Sequence, residues 1–585
     1  MPHRSHYRRN ALATALVMAL GLGPSLVAVA QDTGPSASDP RHDEPAEIDR
    51  IVVNASPLRK TAEELSQPIE VLSGEGLDRA KAATLGETLD DVPGVQTTHF
   101  GAGVGRPIVR GLDGPRIGVL SGGLSNQDVS TISQDHATAV EPFLADQIEV
   151  LKGPATLLYG SGAIGGVVNV VDGRIAERAL DETVKGRAEV RYGSVNKGRT
   201  AMARVDAMGA NGALVLHADG AYRDLDNYDT PNGEQTNSFV ESRSGALAAS
   251  YVAEDGFIGA SVSRFDHRYG NPGEPGDPAA GEPGVSLDML QDRFEVKAGL
   301  DRDMWIFDGL RFGFAHTTYQ HTEFEGDAIG TQFDSEANEG RVELTHKAFG
   351  NWTGAVGLQI GERTFEAIGD EAFVPRTKTR SQGLFVVEQA QWDAFQLDLG
   401  ARIDRVRTDA VGNPRRNFTP LSLSIGALWN INDQWRISAN LDRAERAPAE
   451  EELYADGPHA ATGSYEVGNA DFGKERANQA EIGLHFHNDR FDAKASVYTT
   501  RFDGFIYLQD TGTFTPPEPG EDPLPIRVWN QADADFTGIE AEVIAHLIDN
   551  DAGKFDIRAF GDHVRGELNS GESLPRIAPS RFGLG

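Results

Sequence analysis

The chain has 585 residues, 66 of them Gly, with 24% charged residues and no stretch of sustained helical periodicity, which leaves room for more than one domain and points to β structure. Its 88 acidic against 54 basic residues, a net charge of -34, argue against nucleic acid as a partner and favour cations near its surface. It has no cysteine, which excludes a disulfide scaffold and all thiolate chemistry.

Residues 1–30 read as a signal peptide. Arg4, Arg8 and Arg9 form a basic head, Ala11 to Val29 is apolar, and Ala28-Val29-Ala30 ahead of Gln31 suits cleavage. Gly21, Gly23 and Pro24 interrupt the run and count against a membrane anchor. After Gln31 no apolar run is long enough for a spanning helix, so the mature chain is either soluble or crosses a membrane as a barrel. Residues 31–56 read as a flexible arm ending in a β-prone island, Ile51, Val52 and Val53. Such an island either adds to the sheet edge of another chain or starts the next domain.

Residues 57–177 read as a compact α/β domain. Leu77, Ala80, Leu85 and Leu89 predict one helix over Leu77 to Leu89, stopped by Pro93, and short strands follow at Pro107 to Val109 and Ile117 to Leu120. The domain closes on IEVLKGPATLLYGSGAIGGVVNVV, residues 148–171, two apolar strands around a glycine-dense turn. A strand follows those glycines, so they are no dinucleotide fingerprint.

Residues 178–585 alternate. AEVRYG (188–193), ALVLHADGAY (213–222), FQLDLGARID (395–404) and WRISANLDR (435–443) each set apolar residues on one face against charges on the other. Segments of about ten residues, joined by short turns at one end and long acidic or Pro/Gly-rich loops such as Tyr269 to Gly284 and Gln509 to Pro525 at the other, match a transmembrane barrel of about 18 strands. A secreted β-rich enzyme or adhesin is the alternative of another class. No HExxH, GxSxG or Ser-His-Asp motif supports catalysis, so no enzyme is expected.

ETLDDVPGV (87–95), PIVRGLDGPRIGVL (107–120) and the 148–171 stretch, followed by barrel strands, resemble the TonB-dependent outer-membrane receptors in order and spacing. RAPAEEELY (446–454) and EVGNADFGKERA (466–477) resemble a barrel motif of the same family. The resemblance implies a plug domain inside an all-β transmembrane barrel, with 22 strands in the family against about 18 here. It also implies an outer-membrane location in a Gram-negative cell, with membrane lipid around the wall. Ile51, Val52 and Val53 then stand where the TonB box stands, and TonB is the energy-coupling partner. The chain stops at SRFGLG, where the family continues to a terminal aromatic, which implies a truncated sequence.

SQDHATAVEP (133–142) resembles the plug loop of zinc-uptake receptors of the ZnuD type. Neighbouring residues on a strand face opposite ways, so Asp135 and His136 can share one ion only from a loop, which Gly122, Gly123 and the polar run before the pair favour. The same resemblance implies a barrel histidine and a barrel carboxylate. GPHAATGSYEVGN (457–469) offers His459, and EAIGDEAFVP (366–375) offers Glu371 ahead of Glu366 and Asp370. Zn²⁺, or a similar divalent metal, is thus the expected cargo, with no prosthetic group. The chain departs from that pattern in having no His-rich external loop. A siderophore, haem or other metal chelate is the alternative cargo within the family.

Overall fold

The computed structural model describes residues 52–54, 56–273, 276, 284–369, 372–459, 463–517, 523–550 and 553–585. The signal peptide, the arm through Ile51, and Glu371 lie outside the described residues.

A small plug comes first. Its five-stranded sheet runs in the order Ile69–Ser73, Gln147–Lys152, Gly166–Val171, Ile117–Ser121, Leu124–Ser125. The glycine-dense stretch is the centre of that sheet: Gln147–Lys152 and Gly166–Val171 pair antiparallel, and Ile117–Ser121 joins parallel to the second. Gly166 has φ 151°, and a Cβ there would lie 2.7 Å from the Leu151 carbonyl oxygen, so the first position of the second strand admits no side chain. Val150, Val167 and Val168 are fully buried.

The single helix expected over Leu77 to Leu89 is two short ones, Gly74–Ala80 and Leu85–Thr88. Lys81 turns out of helical geometry (φ -50°, ψ 122°), and the Thr84 hydroxyl restarts the second helix by accepting from the Glu87 amide at 3.2 Å. Leu77, Leu85 and Leu89 still reach one core, shared with Val95, Val109, Ile148 and Val150.

Residues from Val184 onward form a barrel wall of about 18 antiparallel strands, from Val184–Gly193 and Gly198–Gly209 through Pro525–Asn550 and Gly553–Leu568 to Arg581–Leu584. The wall is inverted relative to a soluble protein. On Leu214–Leu225, Leu216 and Tyr222 face outward and are exposed while His217, Asp219 and Arg223 are buried. On Phe395–Ala410, Ile403 is exposed while Arg402 and Asp404 are buried. An apolar face turned outward and charges turned inward fit lipid around a polar lumen, and contradict a sandwich or propeller. The expected external loop Gln509 to Pro525 begins later than the sequence suggests, since Phe491–Phe514 continues as strand.

The plug fills the lumen and is fastened there. Leu85, Val109, Ile148 and Val168 share a core with Phe502, Phe536 and Val564 of the wall. Arg110 makes a bidentate pair with Glu481 at 2.7 and 2.8 Å and reaches Glu540 at 2.8 Å, while Arg116 reaches Glu475 at 2.7 Å. All five groups are buried.

A histidine and carboxylate cluster between plug and barrel

The loop that carries Asp135 and His136 is irregular, as its composition predicts, and it is tied down from within. Asp128 accepts from the Ser130 amide at 3.0 Å and hydroxyl at 2.6 Å with one oxygen, and from Asn126 Nδ2 at 2.7 Å and the Ala139 amide at 2.9 Å with the other. Arg106 holds the loop from the plug side through the Ser133 carbonyl at 3.0 Å. From the wall, the Tyr269 hydroxyl donates to the Asp135 carbonyl at 2.8 Å and accepts from the Ala137 amide at 3.1 Å. These anchors fix where the two side chains point.

His136 is fully buried. Its Nδ1 lies 3.1 Å from the Val129 carbonyl, an acceptor only, so Nδ1 keeps its proton in either charge state and, once the ring is neutral, Nε2 is the nitrogen that presents a lone pair to an ion. That Nε2 is 3.2 Å from Glu323 Oε1 and 4.0 Å from Asp135 Oδ1. His321, on the strand Phe307–Glu325, turns its own Nε2 to within 3.8 Å of the same Glu323 oxygen. Tyr319 meets His321 Nδ1 at 3.1 Å, and His321 Nε2 is buried without a hydrogen-bond partner. One ligand atom from each of His136, His321 and Glu323 lies within 4.8 Å of the others. A tetrahedral zinc ion with bonds of about 2.0–2.1 Å spaces its ligands about 3.3 Å apart. The cluster needs only small closure to reach that spacing.

His459 joins the same network one step further out. Its Nε2 is 2.7 Å from Ser133 Oγ, whose hydroxyl in turn donates to Asp135 Oδ1, and its Nδ1 is 2.9 Å from Glu466 Oε1. Phe373 stacks on its ring with centroids 4.4 Å apart. The structure therefore brings together Asp135, His136 and His459 of the residues singled out from sequence. His321 and Glu323 were missed there. Their signal is Tyr319, His321 and Glu323 at alternate positions of one strand, all on the lumen face.

The surroundings set the charge. Phe333, Phe365, Phe373, Tyr269 and Tyr319 enclose the cluster in one apolar group. Burial opposes a charged His136, but the hydrogen bond to Glu323 and the nearby carboxylates of Asp135 and Glu323 outweigh it, and its pKa lies above the ordinary value. Beside His459 and Ser133 opens a cavity of about 710 Å³, lined also by Arg106, Arg527, Tyr507 and Trp529.

Two family descriptions match the chain. "TonB-dependent Receptor Plug Domain" covers residues 61–167, and "TonB dependent receptor-like, beta-barrel" covers residues 183–585. The chain belongs to the TonB-dependent receptors. Like them it is an outer-membrane β-barrel with an N-terminal plug. Among curated relatives, this TonB-dependent receptor is 24% identical over 493 residues to a vitamin B12 transporter of Photobacterium profundum, spanning 78% of this chain and 70% of that one. It is 22% identical over 527 residues to a hemin receptor of Yersinia enterocolitica, spanning 84% and 74%. Among solved structures it resembles the copper transporter OprC with a TM-score of 0.72 at 20% identity, covering 88% of this chain and 83% of that one, which speaks to fold alone.

Proposed function

We propose that this TonB-dependent receptor binds a divalent metal ion, Zn²⁺ foremost, at the junction of plug and barrel and imports it with energy passed on by TonB. The observation that carries the reading is the convergence of His136 and His321 Nε2 on Glu323 Oε1, with the His321 nitrogen buried and unpartnered. A buried imidazole nitrogen without a partner is costly unless something occupies the space before it. Two imidazoles and a carboxylate suit Zn²⁺, with Asp135 as the fourth donor and His459 behind it through Ser133. We assign to Glu323 the carboxylate role that the resemblance implied for Glu371.

The divided site explains how energy is used. Asp135 and His136 belong to the plug, His321 and Glu323 to the wall, so a pull that moves the plug separates the donors and frees the ion. Val52 and Val53 are the residues we assign to TonB pairing. Val52 bridges Thr61 and Val53 is buried, with its amide 2.8 Å from the Lys60 carbonyl, so the segment must be drawn out before another chain can pair with it.

Calorimetric titration of the full-length receptor with Zn²⁺ tests the site. Wild type binds one ion tightly, and Glu323→Ala and His321→Ala each weaken binding at least about 100-fold; equal affinities in all three would refute the assignment. The cavity of about 710 Å³ beside His459 favours a second reading, a metal chelate such as a siderophore or haem. Tight binding of a chelate, with free metal ignored, selects that reading.

A further inference from the structure

Inside the barrel, at the level of the cluster, three wall residues form one row. His267 on Gly256–Gly270 is paired across the sheet with Met289 on Val285–Met304, and Met289 in turn with His321 on Phe307–Glu325. All three are buried and face the lumen. His321 belongs to the cluster, its ring centred 4.2 Å from that of His136. His267 stands outside it.

Yet His267 repeats the feature that marks His321. Its Nε2 lies 3.2 Å from the Gly103 carbonyl of the plug, an acceptor only, so that nitrogen keeps its proton and, in the neutral ring, Nδ1 holds the lone pair. Nδ1 is buried and meets no hydrogen-bond partner. Met289 offers neither a donor nor a strong acceptor, and the rings of Phe265 and Tyr269 stack on either side, centred 5.5 and 5.0 Å away. Ser242, directly opposite His267 on Val240–Ala253, is buried too, and its hydroxyl is also without a partner. Buried polar atoms left open in this way are costly unless a ligand or water satisfies them.

We infer that His267 is a second position for the metal ion, reached from His321 when the plug moves. The inference rests on the metal reading proposed above. A displaced plug takes Asp135 and His136 away from the ion and leaves His321 and Glu323 short of donors. It also takes away the Gly103 carbonyl, which frees the His267 ring to turn along the row. Adjacent strands lie about 4.8 Å apart, so His267 and His321 stand about 10 Å apart at the backbone. Two imidazoles with bonds of about 2.0–2.1 Å to one ion span that gap. Held by the wall alone, with fewer donors, Zn²⁺ is bound more loosely, which suits a stop on the way out. Toward the short-turn end the lumen-facing residues next to His267 become small, with Ser244, Ala246 and Ser263 following on the next two rungs. There a cavity of about 50 Å³ lies between Ser244 and Ser263 of the wall and Glu141 and Asp172 of the plug, room for water around a cation. Its arginines, Arg174, Arg264 and Arg293, are each paired with a carboxylate.

Competition for Zn²⁺ between a chelating dye and the full-length receptor tests the inference. With Asp135→Ala and His136→Ala the tight site is gone and a weaker one remains on the wall. Adding His267→Phe, which keeps a ring between Phe265 and Tyr269, weakens that remaining site at least tenfold. In the otherwise wild-type receptor, His267→Phe still binds Zn²⁺ tightly, which shows that it is folded, while cells carrying it import radioactive zinc at least tenfold more slowly. No remaining site in the plug variant, equal affinity there with and without His267, or import at the wild-type rate overturns the inference. Failure of the metal reading itself gives a different result: Glu323→Ala and His321→Ala then bind Zn²⁺ as wild type does, whatever stands at position 267.

Discussion

His136 Nε2 of the plug and Glu323 Oε1 of the barrel wall stand 3.2 Å apart, although 187 positions separate them in the chain. A donor set shared between two bodies binds only while they are docked. Binding and release are therefore linked to plug position, and each half of the site can be tested separately.

The plug half comes first. Replacing Asp135 and His136 together by Ala removes two donors and should abolish high-affinity Zn²⁺ binding while leaving the wall intact. Calorimetry on the folded variant checks this. Binding at the wild-type affinity would contradict the site.

On the barrel half, Glu323→Ala and Glu371→Ala separate two carboxylates. A loss of about 100-fold in Zn²⁺ affinity is expected for the first and less than about threefold for the second, measured by competition with a chelating dye. The reverse ranking would return the role to Glu371.

Acidity should act in opposite senses on the empty and loaded receptor. The His136 pKa is raised in the folded state, so its protonated form adds stability that is full below the ordinary value of about 6.5 and is lost as pH climbs through the raised value. Metal needs the neutral ring, so affinity rises over that same interval. Melting temperature without metal should fall, and Zn²⁺ affinity should rise, as pH climbs above about 6.5. Parallel trends would contradict the role of His136.

The anchor pairs make a prediction about stability. Arg110→Ala leaves Glu481 and Glu540 buried without their shared partner, although Lys152 still reaches Glu540 at 3.0 Å. Removing one member of such a network costs about 3–5 kcal/mol. Protease sensitivity of the plug, with the barrel resistant, is the expected readout.

For energy coupling, deletion of Val52 and Val53 should leave Zn²⁺ binding unchanged and stop uptake by cells. Continued uptake would mean that TonB engages elsewhere.

The barrel was legible because a two-residue period with apolar residues on one face survives in any strand, and Leu216, Tyr222 and Ile403 fall outward as that period requires. The plug was legible because its glycines and β-branched runs mark turns and strands directly. The break at Lys81 was not, since the spacing of Leu77, Leu85 and Leu89 fits one helix or two, and only the Thr84 cap distinguishes them. In the site, Asp135 and His136 stood out because SQDHATAVEP resembles a metal-uptake plug loop, and the glycines and polar run before the pair made a loop expected there. His321 and Glu323 did not, because every lumen-facing position of a barrel strand is expected to be polar, and a histidine there resembles its neighbours. Their meaning comes from a plug residue that the sequence places far away.

X-ray absorption at the zinc edge of the loaded full-length receptor tests the central claim most directly. Two imidazole nitrogens with carboxylate oxygen at about 2.0–2.1 Å are expected, with loss of one imidazole in His321→Ala. A shell of oxygens alone, or one unchanged in His321→Ala, would contradict it.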